Sequence, residues 1–236
     1  MSHNWTLTIS TKKGVSMTLT SKKNWLGDLF FVLQITLAWV FTVPQVVRSF
    51  SSTAGMTTTW SLLCSIFIIV NLWLAVTAYK IARDRKSLQI VFVYANWLPL
   101  WAIMCVVLLT KGHWTNNDSV VMVLVGVALT ILLAWRRKET IFSTVTEPIT
   151  RGCVSLIVKS TPQLFIAYCI VNAGSNKGLA GLTLLIGHTT VCLRLCEIYL
   201  AAKKVGWNKP NLGLLISEGG NELTWCITTI AWFCYK

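Results

Sequence analysis

Eight acidic residues occur in this 236-residue chain, and four of them, Asp28, Glu197, Glu218 and Glu222, fall inside long apolar runs. Lys159 and Arg194 fall inside such runs too. A charge held in hydrocarbon is costly, so each of these groups needs an ion-pair partner, a substrate or a proton to carry. Arg194 and Glu197 are three residues apart, which puts them on one helix face where they can pair. Glu218 and Glu222 are four apart in ISEGGNELTW, again on one face, with Asn221 alongside. Gly219 and Gly220 beside them let another group approach closely. Glu197, Glu218 and Glu222 are therefore the candidates for proton coupling or for holding an ammonium group. Lys159 is expected to pair with Glu218 or Glu197, and Asp28 reads as an interfacial residue.

Neutral polar residues at similar depth complete the set. Asn71 occupies the place in the second apolar run that Arg194 occupies in the sixth, and Asn96 in YANWLPLW sits at a depth related to that of Asn221. Asn71, Asn96, Arg194 and Asn221 are the candidate substrate-binding residues, with Arg194 suited to a carboxylate. His188, Cys192 and Cys196 form a stripe four residues apart on the sixth run, a spacing metal ligands use. No second cluster in the sequence completes it, so neither a metal nor another cofactor is assigned. The chain carries no phosphate-binding glycine loop, no Ser/His/Asp arrangement and no nucleic-acid module, and it is not read as an enzyme.

These residues must be positioned by membrane helices. The chain is 54% hydrophobic and 12% charged, with mean hydropathy +0.62, against about 25% charged in soluble domains. Seven apolar runs, roughly 25–48, 58–79, 88–110, 119–135, 152–173, 179–200 and 212–234, are long enough to cross a bilayer. Residues 1–24 are polar and basic, which predicts no cleavable signal peptide and leaves the first span as the insertion signal. The net charge of +13 is distributed by side rather than gathered as a nucleic-acid surface. Fifteen Lys and Arg flank the runs on the N-terminal side, while only Arg48, Lys111, Lys177 and Lys236 lie on the other. That bias predicts a cytoplasmic N-terminus. All eight cysteines fall in or at the ends of runs and read as apolar fillers. Trp25, Trp60, Trp114, Trp135 and Trp207 read as interfacial rings.

The dipeptide Pro-Gln occurs twice, as Pro44-Gln45 and Pro162-Gln163, each inside an apolar run and each followed by a Gly/Ser/Thr-rich break. Aligning the two pairs spans one to three with spans five to seven. Three spans invert a directly fused copy, and the unmatched fourth span restores its orientation. The expected fold is an all-α membrane protein with seven transmembrane helices. Two parallel three-helix bundles are joined by an inverter helix, a 3+1+3 plan related by an axis along the membrane normal. The segments are a basic N-terminal tail (1–24), a first repeat (25–110), a linker helix (119–135) and a second repeat (152–236). Each proline removes one backbone hydrogen bond and frees the carbonyl four residues back, which makes Pro44, Gln45, Pro162 and Gln163 candidate hinges.

These features resemble the PQ-loop transporter family. The residues carrying the resemblance are Thr42-Val-Pro44-Gln45 with Ser49, Gly55 and Thr57, and Ser160-Thr-Pro162-Gln163 with Gly178 and Thr183. The family includes cystine and cationic amino acid exporters of the lysosome and, more distantly, the SWEET sugar transporters. The resemblance implies two triple-helix bundles around a central pathway and alternating access at the Pro-Gln sites. Two departures stand out. The second helices lack the prolines of the SWEET branch, and Lys159 stands where the exporters often carry an Asp. The loop charges also give an orientation opposite to that of the exporters. The expected function is transport of a small polar solute, an amino acid that can be cationic, with proton coupling. A sugar is the alternative substrate, and a seven-helix cargo receptor or membrane scaffold the alternative function. The expected partners are the solute, protons and the bilayer, with no nucleic acid. The host membrane is the plasma membrane or an endolysosomal-type membrane, and a homo-oligomer is compatible with the sequence.

Overall fold

The computed structural model describes residues 6–10, 16–20, 25–135 and 146–235. Among the described residues seven helices follow one another: α1 (Trp25–Ser51), α2 (Thr58–Ala82), α3 (Arg85–Lys111), α4 (Asn116–Trp135), α5 (Pro148–Ala173), α6 (Gly181–Val205) and α7 (Lys209–Cys234). Among the described residues, α1 to α6 are long and apolar enough to cross a membrane, so the chain is a multi-pass helical membrane protein. The sequence predicts a seventh span at 212–234. The helix there has 26 residues and is about 39 Å long, but Glu218, Asn221 and Glu222 dilute its apolar character. Within the predicted basic tail, Thr6–Ser10 and Ser16–Thr20 pair as an antiparallel two-stranded hairpin. The rest of that tail, and the basic residues Arg136, Arg137 and Lys138, lie outside the described residues.

Helix boundaries follow local chemistry. Arg83 adopts a left-handed conformation with φ 49° and ends α2. The Asp84 carboxylate then accepts the Ser87 backbone N–H at 2.7 Å and caps α3. This N–H and the Ser87 hydroxyl hold the Asp84 carboxyl below its usual range. Glu147 caps α5 and Asn208 caps α7, each with a proline in the first turn. Pro44 and Pro162 lie inside continuous helices rather than at their ends. So does Pro99 of α3, a third bending point that the two Pro-Gln sites overshadow in the sequence.

Helix α3 packs against both α1 and α2, and α7 packs against both α5 and α6. Across the middle, α1 meets α6 and α2 meets α5, while α4 rests on α5 and α2. The α5–α7 contact is the most extensive, because a Cβ added at Gly152 or Gly213 would collide with the backbone of the facing helix. Small residues of this kind let membrane helices approach closely.

Rings fill the centre. Phe41, Trp60, Trp101 and Trp225 belong to one buried cluster drawn from α1, α2, α3 and α7. The Phe41 and Trp225 centroids are 5.9 Å apart, and those of Trp60 and Trp101 are 4.9 Å apart. Trp60 is thus a core residue with 1% exposure, and the expectation of an interfacial ring fails there. The start of α2 is covered by its neighbours. Trp25, Trp114, Trp135 and Trp207 are exposed, as interfacial rings should be.

Candidate functional site

The intramembrane charges converge where the first three helices meet the last three. Lys159 Nζ on α5 donates to Glu218 Oε1 on α7 at 2.9 Å, with side-chain exposures of 14% and 17%. Arg194 Nη1 donates to Glu197 Oε2 at 3.0 Å, one turn apart on α6. Glu197 Oε1 accepts a hydrogen bond from Gln34 Nε2 on α1 at 2.9 Å. Arg194 is also within electrostatic reach of Glu218 and of Tyr94 on α3, and the Lys159 ammonium sits 5.3 Å from the Phe67 ring centroid on α2. Two acids and two bases therefore form one compensated polar layer touching α1, α2, α3, α5, α6 and α7. Ser217 extends it, bonding to Ser155 at 2.6 Å and donating to Glu218 at 3.4 Å.

The other sequence candidates distribute differently. Asn71 is buried, but its Oδ1 accepts from Arg151 Nη2 at 2.5 Å and its Nδ2 donates to the Phe67 carbonyl. It ties α2 to α5 and makes no hydrogen bond to Arg194. Asn96 accepts from Trp39 Nε1 at 3.0 Å and lines an outward groove between α1 and α3 with Phe31, Ile35 and Phe92. It is a bond between neighbouring helices on the outer face of the first half. Asn221 is buried on α7. Glu222 stands apart from Glu218's layer and meets His188 instead, Oε1 to Nδ1 at 2.5 Å. Asp28 pairs with Arg85 at 2.9 Å and accepts from Gln89, near the start of α1.

The Pro-Gln sites frame the opposite end. Gln45 is fully buried. Its Nε2 donates to the Gly178 carbonyl at 2.7 Å and to Ser49 Oγ at 3.1 Å. Its Oε1 accepts the Ala180 N–H at 3.0 Å. One side chain of the first half thus holds the break that follows α5. The two breaks also touch directly, the Gly178 N–H donating to the Ala54 carbonyl at 2.9 Å. A Cβ at Gly178 would stand 2.8 Å from the Thr53 carbonyl carbon, and one at Gly55 2.9 Å from the Ser175 carbonyl oxygen. Both glycines that the sequence aligns are therefore positions of close backbone approach. Arg48 Nε to the Lys177 carbonyl and Thr183 Oγ1 to the Phe41 carbonyl add to the closure.

Gln163 does not repeat the pattern. It is 2% exposed, yet among the described residues its Nε2 has no hydrogen-bond partner, and neither do the hydroxyls of Thr42, Thr57 and Ser160.

Three functional neighbours escaped the sequence reading: Gln34, Arg151 and Asp118. Gln34 and Arg151 make their bonds across helix pairs that no local spacing connects. Asp118 is buried at the start of α4. Its Oδ1 accepts the Thr59 N–H at 2.8 Å and hydroxyl at 2.6 Å. Its Oδ2 accepts the Thr115 N–H and hydroxyl at 2.9 and 2.6 Å. Thr57 makes no side-chain cap on α2, so Asp118 supplies one from another helix. The available sequence signal was an acidic residue in the short polar break 115–119 between two apolar runs.

No protein-family model matches this sequence, and no curated protein matches it.

Proposed function

We propose that this protein carries a small zwitterionic solute, an amino acid, across a membrane by alternating access between two parallel bundles of the PQ-loop type. The observation that carries the reading is the compensated layer of Lys159, Glu218, Arg194 and Glu197 at the junction of the halves. In apolar surroundings such ion pairs break even only when their geometry is good and their remaining bonding capacity is used. A zwitterion entering between them exchanges partners at little electrostatic cost. Its carboxylate goes to Arg194 or Lys159 and its ammonium to Glu218 or Glu197. A neutral sugar offers no such exchange.

The helix contacts support the two-bundle plan. In each set of three, the last helix packs between the other two, and the sets meet first helix to second helix on both sides. Helix α4 is then the inverter. The polar layer and the Gln45 closure lie at different depths, separated by the aromatic cluster, as alternating access requires. In this conformation the Gln45 end is shut. By its loop charges the protein keeps its N-terminus in the cytoplasm, which places the closed end on the outer side.

Glu218 has two cationic neighbours, Lys159 from α5 and Arg194 from α6, with Ser217 beside it on α7. We therefore assign Glu218 to the ammonium group first. Counterflow of labelled amino acids, neutral and cationic, in proteoliposomes tests the proposal at two pH values. Saturable flux that disappears in Arg194→Gln is the expected result. Absence of flux for every solute in the panel, together with saturable binding of a peptide, would establish a receptor instead.

A further inference from the structure

The second half holds a second polar cluster that the transport reading leaves unused. His188 on α6 meets Glu222 and Cys226 on α7, and one donor atom from each lies within 4.8 Å of the others. His188 Nδ1 is 2.5 Å from Glu222 Oε1, and Cys226 Sγ is 4.0 Å from the same oxygen. Cys192 follows His188 by one turn of α6 and lies outside that group. Cys192 and Cys226 are both free thiols. The sequence stripe of His188 and Cys192 lacked a second cluster, and α7 supplies it.

We infer that His188, Glu222 and Cys226 form a site for a borderline-soft transition cation of the zinc class, which fastens α6 to α7. The donor set is one imidazole, one carboxylate and one thiol, types that zinc takes, with the fourth position of the shell left to water. The distances are close to what such an ion needs. With Zn–N and Zn–O near 2.1 Å and Zn–S near 2.3 Å, tetrahedral N···O is about 3.4 Å and O···S about 3.6 Å. The His188–Glu222 pair must open by about 0.9 Å and the Glu222–Cys226 pair close by about 0.4 Å to meet those values. Rotamer adjustments of this size need no helix movement.

Two features go beyond proximity. The second oxygen of Glu222 is buried without a hydrogen-bond partner, the one such carboxylate oxygen among the described residues. The His188 contact through Oε1 leaves it unused, whereas a carboxylate turned toward an ion can present either oxygen. The second ring nitrogen of His188 is 2.8 Å from Thr229 Oγ1. That contact orients the imidazole with Nδ1 turned to the cluster, the support that ligating histidines commonly receive from outside the shell. Charge agrees as well. Glu222 and one thiolate neutralise a divalent ion, which suits a site about 10 Å inside the α6 end. Each thiol that ligates releases its proton to solvent, so binding strengthens as pH rises.

The test uses the full-length protein in detergent, reduced and freed of metal with a chelator, and titrated with Co2+ and then Zn2+. One Co2+ per chain should bind with the visible bands of a four-coordinate ion and a near-ultraviolet thiolate band, and Zn2+ should displace it. Cys226→Ser and His188→Gln should each weaken binding by at least about 100-fold, more than the loss of an outer-shell support. Cys192→Ser should leave the thiolate band unchanged. Zn2+ should protect Cys226 from maleimide in the unmodified chain, a readout that does not depend on any variant folding. Octahedral Co2+ spectra, absence of Cys226 protection, or binding unchanged in Cys226→Ser would overturn the site. None of these readings involves transport, so the site and the carrier proposal stand or fall separately.

Discussion

Replacing Gln45 with Leu should unlatch the closed end of the protein. The side chain makes two bonds across the halves, to the Gly178 carbonyl at 2.7 Å and from the Ala180 N–H at 3.0 Å. Leucine keeps most of the volume and removes both. Each neutral bond is worth about 1 kcal/mol net, and Gly178 is buried, so its carbonyl is left with little water to turn to. A loss of about 2 kcal/mol shifts the balance between closed and open ends by about 30-fold. The reporter is Thr42→Cys, three residues before Gln45. Thr42 is fully buried, and its hydroxyl has no hydrogen-bond partner, so exchange for a thiol costs little. Labelling by a membrane-impermeant maleimide, followed site by site by mass spectrometry, should proceed about 30-fold faster in the Gln45→Leu background. The exposed Cys234 serves as the internal control. Equal labelling rates of the introduced thiol in both backgrounds, with Cys234 unchanged and the helix content intact, would refute the latch.

Three further outcomes follow from the same geometry. Glu218→Gln leaves Lys159 without its carboxylate, a change worth roughly 3 kcal/mol in a mostly buried pair. Uptake affinity should fall at least tenfold and by the same factor at each pH, whereas a flattened pH profile would show that Glu218 carries a proton instead. Asp118→Asn removes the charge from four hydrogen bonds and forces an amide N–H2 toward two donors. It should cost about 3 kcal/mol and lower the midpoint of thermal unfolding, and an unchanged midpoint would remove Asp118 as the α2 cap. Gln163→Leu, although equivalent to Gln45→Leu in sequence, should leave maleimide access at Thr42→Cys within about twofold of the parent, because the Gln163 amide nitrogen donates no bond in this conformation.

The parts of this architecture that the sequence exposes are those with a local signature. Apolar length marks each helix. The Arg194–Glu197 pair is visible because three residues separate its members, and Lys159 could find few acids at its depth. Gln34, Arg151 and Asp118 carry no such signature. Their bonds depend on how helices far apart in sequence rotate about their axes, with α1 against α6, α2 against α5 and α4 against α2. A shift of one residue in any of these contacts turns a helix face by about 100°, which periodicity alone does not determine. Asn96 has the depth expected of a pathway residue, but its face of α3 is turned to Trp39 on the outside. Trp60 failed as an interfacial ring for a related reason. The end of a span is wet only when the helix stands at the rim, and α2 begins beneath α1, α3 and α7.

The pair of Pro-Gln sites is symmetric in sequence and asymmetric in bonding, and the asymmetry has a physical reading. Two equal latches would hold the closed end more tightly by another two hydrogen bonds, about 2 kcal/mol, and each turnover would have to supply that energy to open it. With Gln45 bonded and the Gln163 amide unbonded, the cost is divided. A buried amide without a partner is itself destabilising by about 1–3 kcal/mol, so Gln163 raises the energy of the closed form while Gln45 lowers it. The two terms are opposite in sign and similar in size, so the second site offsets part of the hold that the first provides. The carrier proposed above would need such an offset, because a solute can shift a conformational equilibrium only by the difference in its own affinity for the two states. The charged layer provides the difference. It lies in the second half, whose α5–α6 break Gln45 grips from the first, so a solute that rearranges Lys159, Glu218 and Arg194 would pull on the same bundle that the latch holds.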